Sequence, residues 1–353
     1  MAKHKWEMVC PKPKGLVLPV RTDPEGAAGP TKAAVRGRGW RQTSHGFYVP
    51  ASTPTDLLEQ RIIEQSVRLP GFGAVTGWAA CRLHRANFFD GLAPDGKTLI
   101  PVPLALGRRG NIRGDSQVSL NYDLLSPREV TVACGVPVTR RERAVFDAMR
   151  FATSGREATV ALEMAVGAGI TSIERMTDYA VNHAGWKHIR QVRAALALAR
   201  EHSRSPNETR FRLVWELDAG LPRPEINCPI HDLDGRLLGI ADLVDLEAGL
   251  VAEFDGEDHR GRERHTRDLA KDEALRGVGL EVTRISGTDL RDRPLVVRRL
   301  RSARSRARFE PKSARRWVAR PLADCAEQQL VEKEVMGALY AKLQSLPMSN
   351  PAS

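Results

Sequence analysis

Hydrophobic and polar residues alternate with two different periods in the last third of the chain. Residues 205–220, SPNETRFRLVWELDAG, predict a helix that begins with Ser205 as N-cap and carries Glu208 three positions later, the spacing of a capping box. The next segment, INCPIHDLDGRLLGIADLVD, alternates as paired strands do, with Asp234 and Gly235 at its turn. We therefore expect a helix followed by a β-hairpin.

The same region continues with two more strands and a second helix. Residues 249–256, GLVAEFDG, form a short apolar run that is typical of a buried strand. Residues 264–279, RHTRDLAKDEALRGVG, predict a helix that ends at a glycine, and LEVTRIS predicts a last strand. The order α-β-β-β-α-β predicts one small α/β domain over residues 203–300.

The remaining segments differ in composition. Residues 140–202 have helical periodicity throughout and predict a helical connector. Residues 31–139 mix short strands and helices, and their segment RGRGWRQTSHGFYVP has the basic-then-aromatic pattern of a wing in winged-helix DNA-binding proteins. Residues 1–30 are rich in Pro and Gly and predict a flexible basic arm, whereas residues 301–353 predict a basic helix and a C-terminal tail.

Positive charge is concentrated at both ends of the chain. The protein has 353 residues, with 54 Lys and Arg against 43 Asp and Glu, which gives a net charge of +11. Residues 1–50 carry +6 and residues 291–320 carry +10, so the rest of the chain sums to −5. The twelve basic side chains within 291–320 would repel one another without an anionic partner, and nucleic acid is the obvious candidate.

Several classes of protein are excluded by the sequence. No apolar run is long enough to span a bilayer, and the first residues lack a signal-peptide core, so we expect a cytoplasmic protein without a membrane partner. The five cysteines are widely spaced and predict neither a zinc finger nor a disulfide scaffold. Motifs of nucleotide-hydrolysing P-loop proteins, dinucleotide-binding proteins and α/β-hydrolases are absent from the sequence.

Acidic residues cluster along the strands of the C-terminal domain. Asp242 follows the hairpin turn on one strand, and Glu253 and Asp255 lie two positions apart on the next, hence on the same face. His259 comes four residues later. Paired carboxylates suit a hard divalent cation that activates water, and a histidine could exchange protons with the reacting groups. Considered alone, Asp242 would be interpreted as a turn residue and His259 as an exposed loop residue. The hypothesis of a metal site therefore depends on the combination of these residues.

The motifs S-P-N-E-T-R, D-L-x-D, A-E-F-D-G-E-D-H and R-D-L-A-K-D-E-A-L-R resemble those of a family of actinobacterial proteins. Its C-terminal domain is related to very-short-patch-repair (Vsr-like) endonucleases of the PD-(D/E)XK superfold, and this similarity covers residues 205–300. Upstream, GAVTGWAACRLH and GVPVTRRERAVFD are similar to AbiEi-type antitoxins, which carry a reduced winged helix. The resemblance therefore implies a winged-helix-like region, a helical connector and a restriction-endonuclease-like α-β-β-β-α-β domain.

The resemblance also implies roles for individual residues. Glu208 matches the glutamate on the first helix of the superfold, Asp242 matches the metal-binding aspartate, and Glu253 matches the acid of the E-x-K motif. His259 matches a histidine of Vsr-type sites. The lysine position of the superfold is occupied by Asp255, which could bind a second metal ion instead of orienting the attacking water. Mg²⁺ or Mn²⁺ is the implied cofactor, held by Asp242, Glu253 and Asp255.

Two functional hypotheses follow, both with DNA as the partner. The first is a metal-dependent DNA endonuclease in phage defence or a toxin–antitoxin system. We expect such an enzyme to form a homodimer if it cuts both DNA strands. The second is a catalytically inactive DNA-binding antitoxin or transcriptional regulator with a toxin protein as partner, and a nonspecific RNA-binding protein is a third reading. The residues expected to contact DNA are Arg36, Arg38, Trp40, Arg41, Arg298, Arg299, Arg301 and Arg304.

Overall fold

The computed structural model describes residues 8–255 and 262–344, which form two compact units of mixed α/β structure. Unit 1 comprises Met1–Ala199 together with Ala326–Ser353, and unit 2 is the continuous segment Arg200–Cys325. Among the described residues, no helix is both long and apolar enough to cross a membrane.

The described residues contain ten α-helices, of which α7, α8 and α9 belong to unit 2 and the others to unit 1. Their bounds are α1 Leu58–Ser66, α2 Gly77–Leu83, α3 Arg141–Arg150, α4 Gly155–Gly167, α5 Ile173–Asn182, α6 Ile189–Leu198, α7 Pro206–Leu213, α8 Arg262–Gly277, α9 Arg293–Arg306 and α10 Ala326–Gln344.

Thirteen strands lie in the same described ranges, the last five of them in unit 2. Their bounds are β1 Val20–Arg21, β2 Trp40–Ser44, β3 Phe47–Pro50, β4 Ala74–Val75, β5 Val102–Ala105, β6 Val118–Asn121, β7 Val130–Ala133, β8 Val136–Thr139, β9 Glu225–Asp232, β10 Leu237–Asp245, β11 Leu250–Asp255, β12 Glu281–Ser286 and β13 Trp317–Ala319.

Unit 1 combines two sheets with a helical layer. Strands β1, β3 and β2 form an antiparallel sheet in that order, and a mixed sheet has the order β6-β5-β4-β8-β7. Residues 140–202, expected to form a helical connector, contain α3–α6, which share one hydrophobic core with the mixed sheet, where Phe146 and Leu162 pack with Val75 and Val138. These four helices belong to unit 1, whose first segment ends at Ala199.

A buried polar network lies inside unit 1 around helix α3. The Asp147 carboxylate accepts hydrogen bonds from Arg143 Nε at 2.9 Å, Arg150 Nη2 at 2.6 Å and Thr76 Oγ1 at 2.6 Å. All four side chains are almost completely buried. Trp186 lies beside both guanidinium groups, 4.4 Å from Arg143 and 4.9 Å from Arg150. The network joins α3 to Thr76, the N-cap residue of α2.

Unit 2 is built on a five-stranded sheet in the order β12-β11-β10-β9-β13. The predicted hairpin is confirmed: β9 and β10 pair antiparallel around a turn in which Gly235 has φ +84°. Strands β11 and β12 pair in parallel, and α8 is the crossover between them that a parallel pair requires. Over 301–353 the structure differs from the expected helix and tail: α9 ends at Arg306, β13 joins the sheet, and α10 belongs to unit 1.

The two faces of this sheet are covered by different helices. Leu250 and Ala252 of β11 pack with Leu300 of α9, whereas Val251 packs with Leu275 of α8. Because side chains alternate along a strand, Glu253 belongs to the face covered by α8.

Candidate active site

The predicted acids of unit 2 lie where strands β10 and β11 separate. Their antiparallel ladder has Leu243 opposite Ala252 as its last pair, and the same register would put Asp242 opposite Glu253 next. At that point the Asp242 carboxylate replaces a backbone acceptor, since its Oδ2 receives a hydrogen bond from the backbone N–H of Phe254 at 2.8 Å. The end of the ladder therefore places two carboxylates from adjacent strands side by side.

Glu208 reaches the same region from the first turn of α7. The predicted N-cap is confirmed, because the backbone N–H of Glu208 donates to Ser205 Oγ at 3.2 Å. Glu208 Oε2 accepts from the backbone N–H of Arg204 at 2.9 Å and from Asn227 Nδ2 at 3.1 Å. Burial raises the pKa of Glu208, and the nearby charge of Asp242 raises it further. The cap thus fixes a carboxylate that faces a second carboxylate.

Lys271, on helix α8, completes the cluster, and the sequence analysis did not assign it a role. Its Nζ donates to Glu253 Oε2 at 2.6 Å and to the backbone oxygen of Ile240 at 2.5 Å. The alkyl stem of Lys271 passes over Gly239, where a Cβ atom would meet Lys271 Cγ at 2.8 Å. The missing β-carbon of Gly239 therefore leaves the space through which the ammonium reaches Glu253.

The electrostatics of the cluster are dominated by burial of negative charge. Burial and repulsion by Asp242 raise the pKa of Glu253 to about 7, although the ammonium of Lys271 acts in the opposite direction. Burial also raises the pKa of Asp242, again against the effect of Lys271. Within the described part of the chain, Glu253 Oε1 is buried and accepts no hydrogen bond. Arg204 and Arg284 also lower the pKa of Asp242, so their positive charges act on the same cluster as Lys271. Burial nevertheless keeps the pKa of all three carboxyl groups raised, and a bound cation would favour their ionised forms.

The donor atoms suit Mg²⁺, which binds oxygen ligands and usually takes only one or two carboxylates with water for the rest. Asp242 and Glu253, with the unpartnered Oε1, are the residues that would hold it. Asp255 is the last residue of β11. Among the described residues, the ligand atoms of Asp242, Glu253 and Asp255 do not all lie within 4.8 Å of one another, so the three expected metal ligands do not converge. His259 lies outside the described residues.

The residues of unit 1 that were expected to contact DNA have different surroundings. Arg36 and Arg38 are exposed beside strand β2. Trp40 is half-buried at the start of that strand. Arg41 forms a bidentate ion pair with the buried Glu64, in which Nη1 donates to Oε2 at 3.0 Å and Nη2 donates to Oε1 at 2.7 Å. The guanidinium of Arg41 therefore stabilises the packing of β2 on α1.

The four arginines predicted on the C-terminal basic segment lie on α9. Arg298 is exposed. The other three contact groups within unit 2: Arg299 pairs with Asp289 at 2.7 Å, Arg301 Nε donates to the Ala219 backbone oxygen at 3.0 Å, and Arg304 pairs with the buried Asp245 at 2.9 Å. Helix α9, which carries these arginines, covers the sheet face opposite the one to which Glu253 belongs.

Comparison of the chain with protein families, with curated proteins and with solved structures gives no match in any of the three. The function is therefore argued from the site itself.

The raised pKa of Glu253 has a consequence for stability. Its pKa in the folded protein, about 7, exceeds the ordinary value of 4.5, so the folded state binds the proton more tightly than the unfolded state does. The free energy of unfolding should therefore fall as pH rises from 4.5 to 7, by on the order of 3 kcal/mol from this residue. This pH dependence can be checked by measuring the free energy of unfolding in urea for wild type and Glu253→Gln, without metal, at pH 5 and pH 8. The wild type should lose more stability than the variant, and parallel losses would contradict the assignment.

Proposed function

We propose that unit 2 is a Mg²⁺-dependent nuclease domain that hydrolyses phosphodiester bonds in DNA. The observation that carries the proposal is the convergence of Lys271 with Glu253, beside Asp242 and Glu208. Carboxylates from two adjacent strands together with an ammonium are the groups that phosphate chemistry needs, since they hold a cation and stabilise developing negative charge.

Lys271 supplies the function that the sequence analysis found missing. The superfold position expected to hold lysine carries Asp255, but an ammonium from α8 contacts the acid of the same motif, Glu253. In the proposed mechanism Lys271 orients the attacking water and stabilises the negative charge that develops on the phosphate. A bound Mg²⁺ would supply Lewis acidity, and Asp242 and Glu253 would hold it.

The same proposal includes a relationship of unit 2 to Vsr-like endonucleases and of unit 1 to AbiEi-type antitoxins. It also includes DNA as the substrate and a role in phage defence. It is supported by the position of Glu208 on the first helix of unit 2 and of Asp242 and Glu253 on successive strands.

The test is cleavage of supercoiled plasmid and of short DNA duplexes with Mg²⁺ or Mn²⁺. Asp242→Ala and Glu253→Ala should lower the rate by about 10²-fold or more, because each removes a ligand from a buried site. Asp234→Ala, in the exposed hairpin turn, is the matched control and should cleave at the wild-type rate. Cleavage that survives in both site variants would show a contaminating nuclease, and no cleavage by wild type on any of these substrates would refute the proposal.

Gly239→Ala tests the position of Lys271 without removing a chemical group. The new methyl group would overlap the lysine stem at 2.8–3.1 Å and displace the ammonium from Glu253. We expect the cleavage rate to fall by on the order of 10- to 100-fold, since small displacements of a catalytic group are costly. Gly277→Ala is the control, because its Cβ would meet no atom within 4 Å. Equal rates for Gly239→Ala and the control would argue against a catalytic Lys271.

A DNA-binding regulator is the second candidate, favoured by the exposed Arg36 and Arg38 beside the β2–β3 hairpin. In this function unit 1 binds an operator, a toxin is the protein partner, and unit 2 has no activity. Arg36→Ala with Arg38→Ala should then abolish binding to the chain's own promoter, measured by mobility shift, whereas Asp242→Ala should bind normally. Unchanged binding in the double variant would exclude this reading.

A further inference from the structure

A second cluster of ligands lies in unit 2, outside the candidate active site. Glu201, His202 and Asp324 each offer one ligand atom, and these three atoms lie within 4.8 Å of one another. Glu201 and His202 are the second and third residues of unit 2, and Asp324 is its penultimate residue. The cluster therefore joins the two chain ends of the unit.

Hydrogen bonds hold this cluster in place. His202 Nε2 donates to the backbone oxygen of Ala323 at 3.1 Å and lies 3.5 Å from Asp324 Oδ1, so the other ring nitrogen, Nδ1, carries the lone pair that a metal ion could use. Glu201 Oε2 accepts the backbone N–H of Cys325 at 2.9 Å. One ligand atom each from an imidazole and two carboxylates thus lies within 4.8 Å of the other two, and the side chain of Asp324 is 69% exposed, so it can change its position.

The donors and their spacing fit a transition-metal ion. Three atoms no more than 4.8 Å apart surround a point at most about 2.8 Å from each, because the limit is 4.8 Å divided by √3. Zinc bonds to imidazole nitrogen and carboxylate oxygen are about 2.0–2.2 Å long, so a small inward shift of the exposed carboxylate completes the contacts. The nitrogen donor favours Zn²⁺ over Mg²⁺, which prefers oxygen ligands.

We propose that Glu201, His202 and Asp324 form a Zn²⁺ site that clamps the two chain ends of unit 2. Water or the thiolate of the adjacent Cys325 would provide the fourth ligand.

The proposed zinc site is connected to Glu208 through one buried residue. Asn227 is 1% exposed, and its Nδ2 donates both to the backbone oxygen of His202 at 2.9 Å and to Glu208 Oε2 at 3.1 Å. Within the described residues, Asn227 Oδ1 has no hydrogen-bond partner. A zinc ion on His202 would fix the backbone turn that leads from His202 to the helix cap carrying Glu208. The zinc site itself does not depend on the proposed nuclease activity.

Equilibrium dialysis of the full chain against Zn²⁺, with excess Mg²⁺ present to occupy the nuclease site, tests the proposal. Wild type and Asp242→Asn should each bind one equivalent of Zn²⁺. His202→Asn and Asp324→Asn should bind at least tenfold more weakly, and Asp234→Asn should bind as wild type does. Asparagine is chosen at position 202 because the backbone there has φ +72°, a conformation that asparagine tolerates.

Several outcomes would overturn the zinc site: no Zn²⁺ binding by wild type, unchanged binding in His202→Asn and Asp324→Asn, or loss of binding in Asp242→Asn alone. Asp324→Asn alters an exposed side chain and guards against a folding defect in the histidine variant. Replacement of Zn²⁺ by Co²⁺ adds a direct readout, since a thiolate–cobalt charge-transfer band that disappears in Cys325→Ser would identify the fourth ligand.

Discussion

Replacement of Lys271 by methionine is expected to abolish DNA cleavage, with a loss of about 10²-fold or more at pH 8. Methionine preserves the alkyl stem over Gly239 but removes the ammonium that donates to Glu253 Oε2 and to Ile240. The variant separates two roles of the lysine. As a merely structural counter-ion it would affect stability, whereas as a catalytic group it must affect the rate of bond cleavage in folded protein.

Metal binding distinguishes these two roles. Lys271 competes with a cation for Glu253, but its ammonium also lowers the pKa of that carboxyl group, so metal binding is compared at pH 9, where ionisation is more complete in both proteins. There the methionine variant should bind Mg²⁺ at least as tightly as wild type. Tight metal binding with lost cleavage would assign the lysine to the chemical step. Arg276→Met is the matched control, because it also removes a cation from helix α8. The guanidinium of Arg276 donates to the backbone oxygen of Val282 and, among the described residues, to none of the acids of the site. Full activity in Lys271→Met would refute a catalytic lysine.

The largest effect on stability is expected from Asp147→Ala in unit 1. The substitution would leave Arg143 and Arg150 buried with no carboxylate between them, and arginine cannot shed its charge in a protein. Removal of one partner from a buried ion pair costs about 3–5 kcal/mol, and here two cations lose the same partner. Such a loss is a large fraction of the roughly 5–15 kcal/mol that stabilises a typical domain.

Urea denaturation followed by circular dichroism measures this effect. The transition attributable to unit 1 should move to a much lower urea concentration in Asp147→Ala. Asp123→Ala is the control, since Asp123 also pairs with Arg150, at 2.7 Å, but its side chain is 33% exposed and should contribute about 1 kcal/mol or less. Similar destabilisation by both variants would mean that burial of Asp147 does not set the strength of the network.

Local patterns in the sequence predicted the elements of unit 2 well. Ser205 and Glu208 defined the start of a helix because capping depends on neighbours three residues apart. Asp234 and Gly235 defined the hairpin because its turn requires a positive φ. Such features are encoded within a few residues, so they can be recognised without knowledge of the tertiary structure.

Long-range partners could not be recognised in this way. Lys271 is 18 positions from Glu253 and stands in a helix that is rich in charged residues, where a lysine has no distinctive sequence signature. Arg41 was assigned to DNA from its basic neighbours, although its partner Glu64 lies 23 positions away. The pairing of β13 with β9 likewise depends on sheet topology, because a strand of three residues carries almost no periodic signal.

The adjacency of Glu201 to Cys325 also bears on how the chain can be divided. Because Glu201, the second residue of unit 2, is hydrogen-bonded to its last residue, Cys325, the two chain ends of unit 2 lie next to each other. Removal of Arg200–Cys325 would require only a short linker to restore chain continuity. Truncation at Cys325 would instead remove α10, whose Glu327 and Glu334 both pair with Arg175 of unit 1. Excision, and not C-terminal truncation, is therefore the cut that leaves both units with all of their own residues.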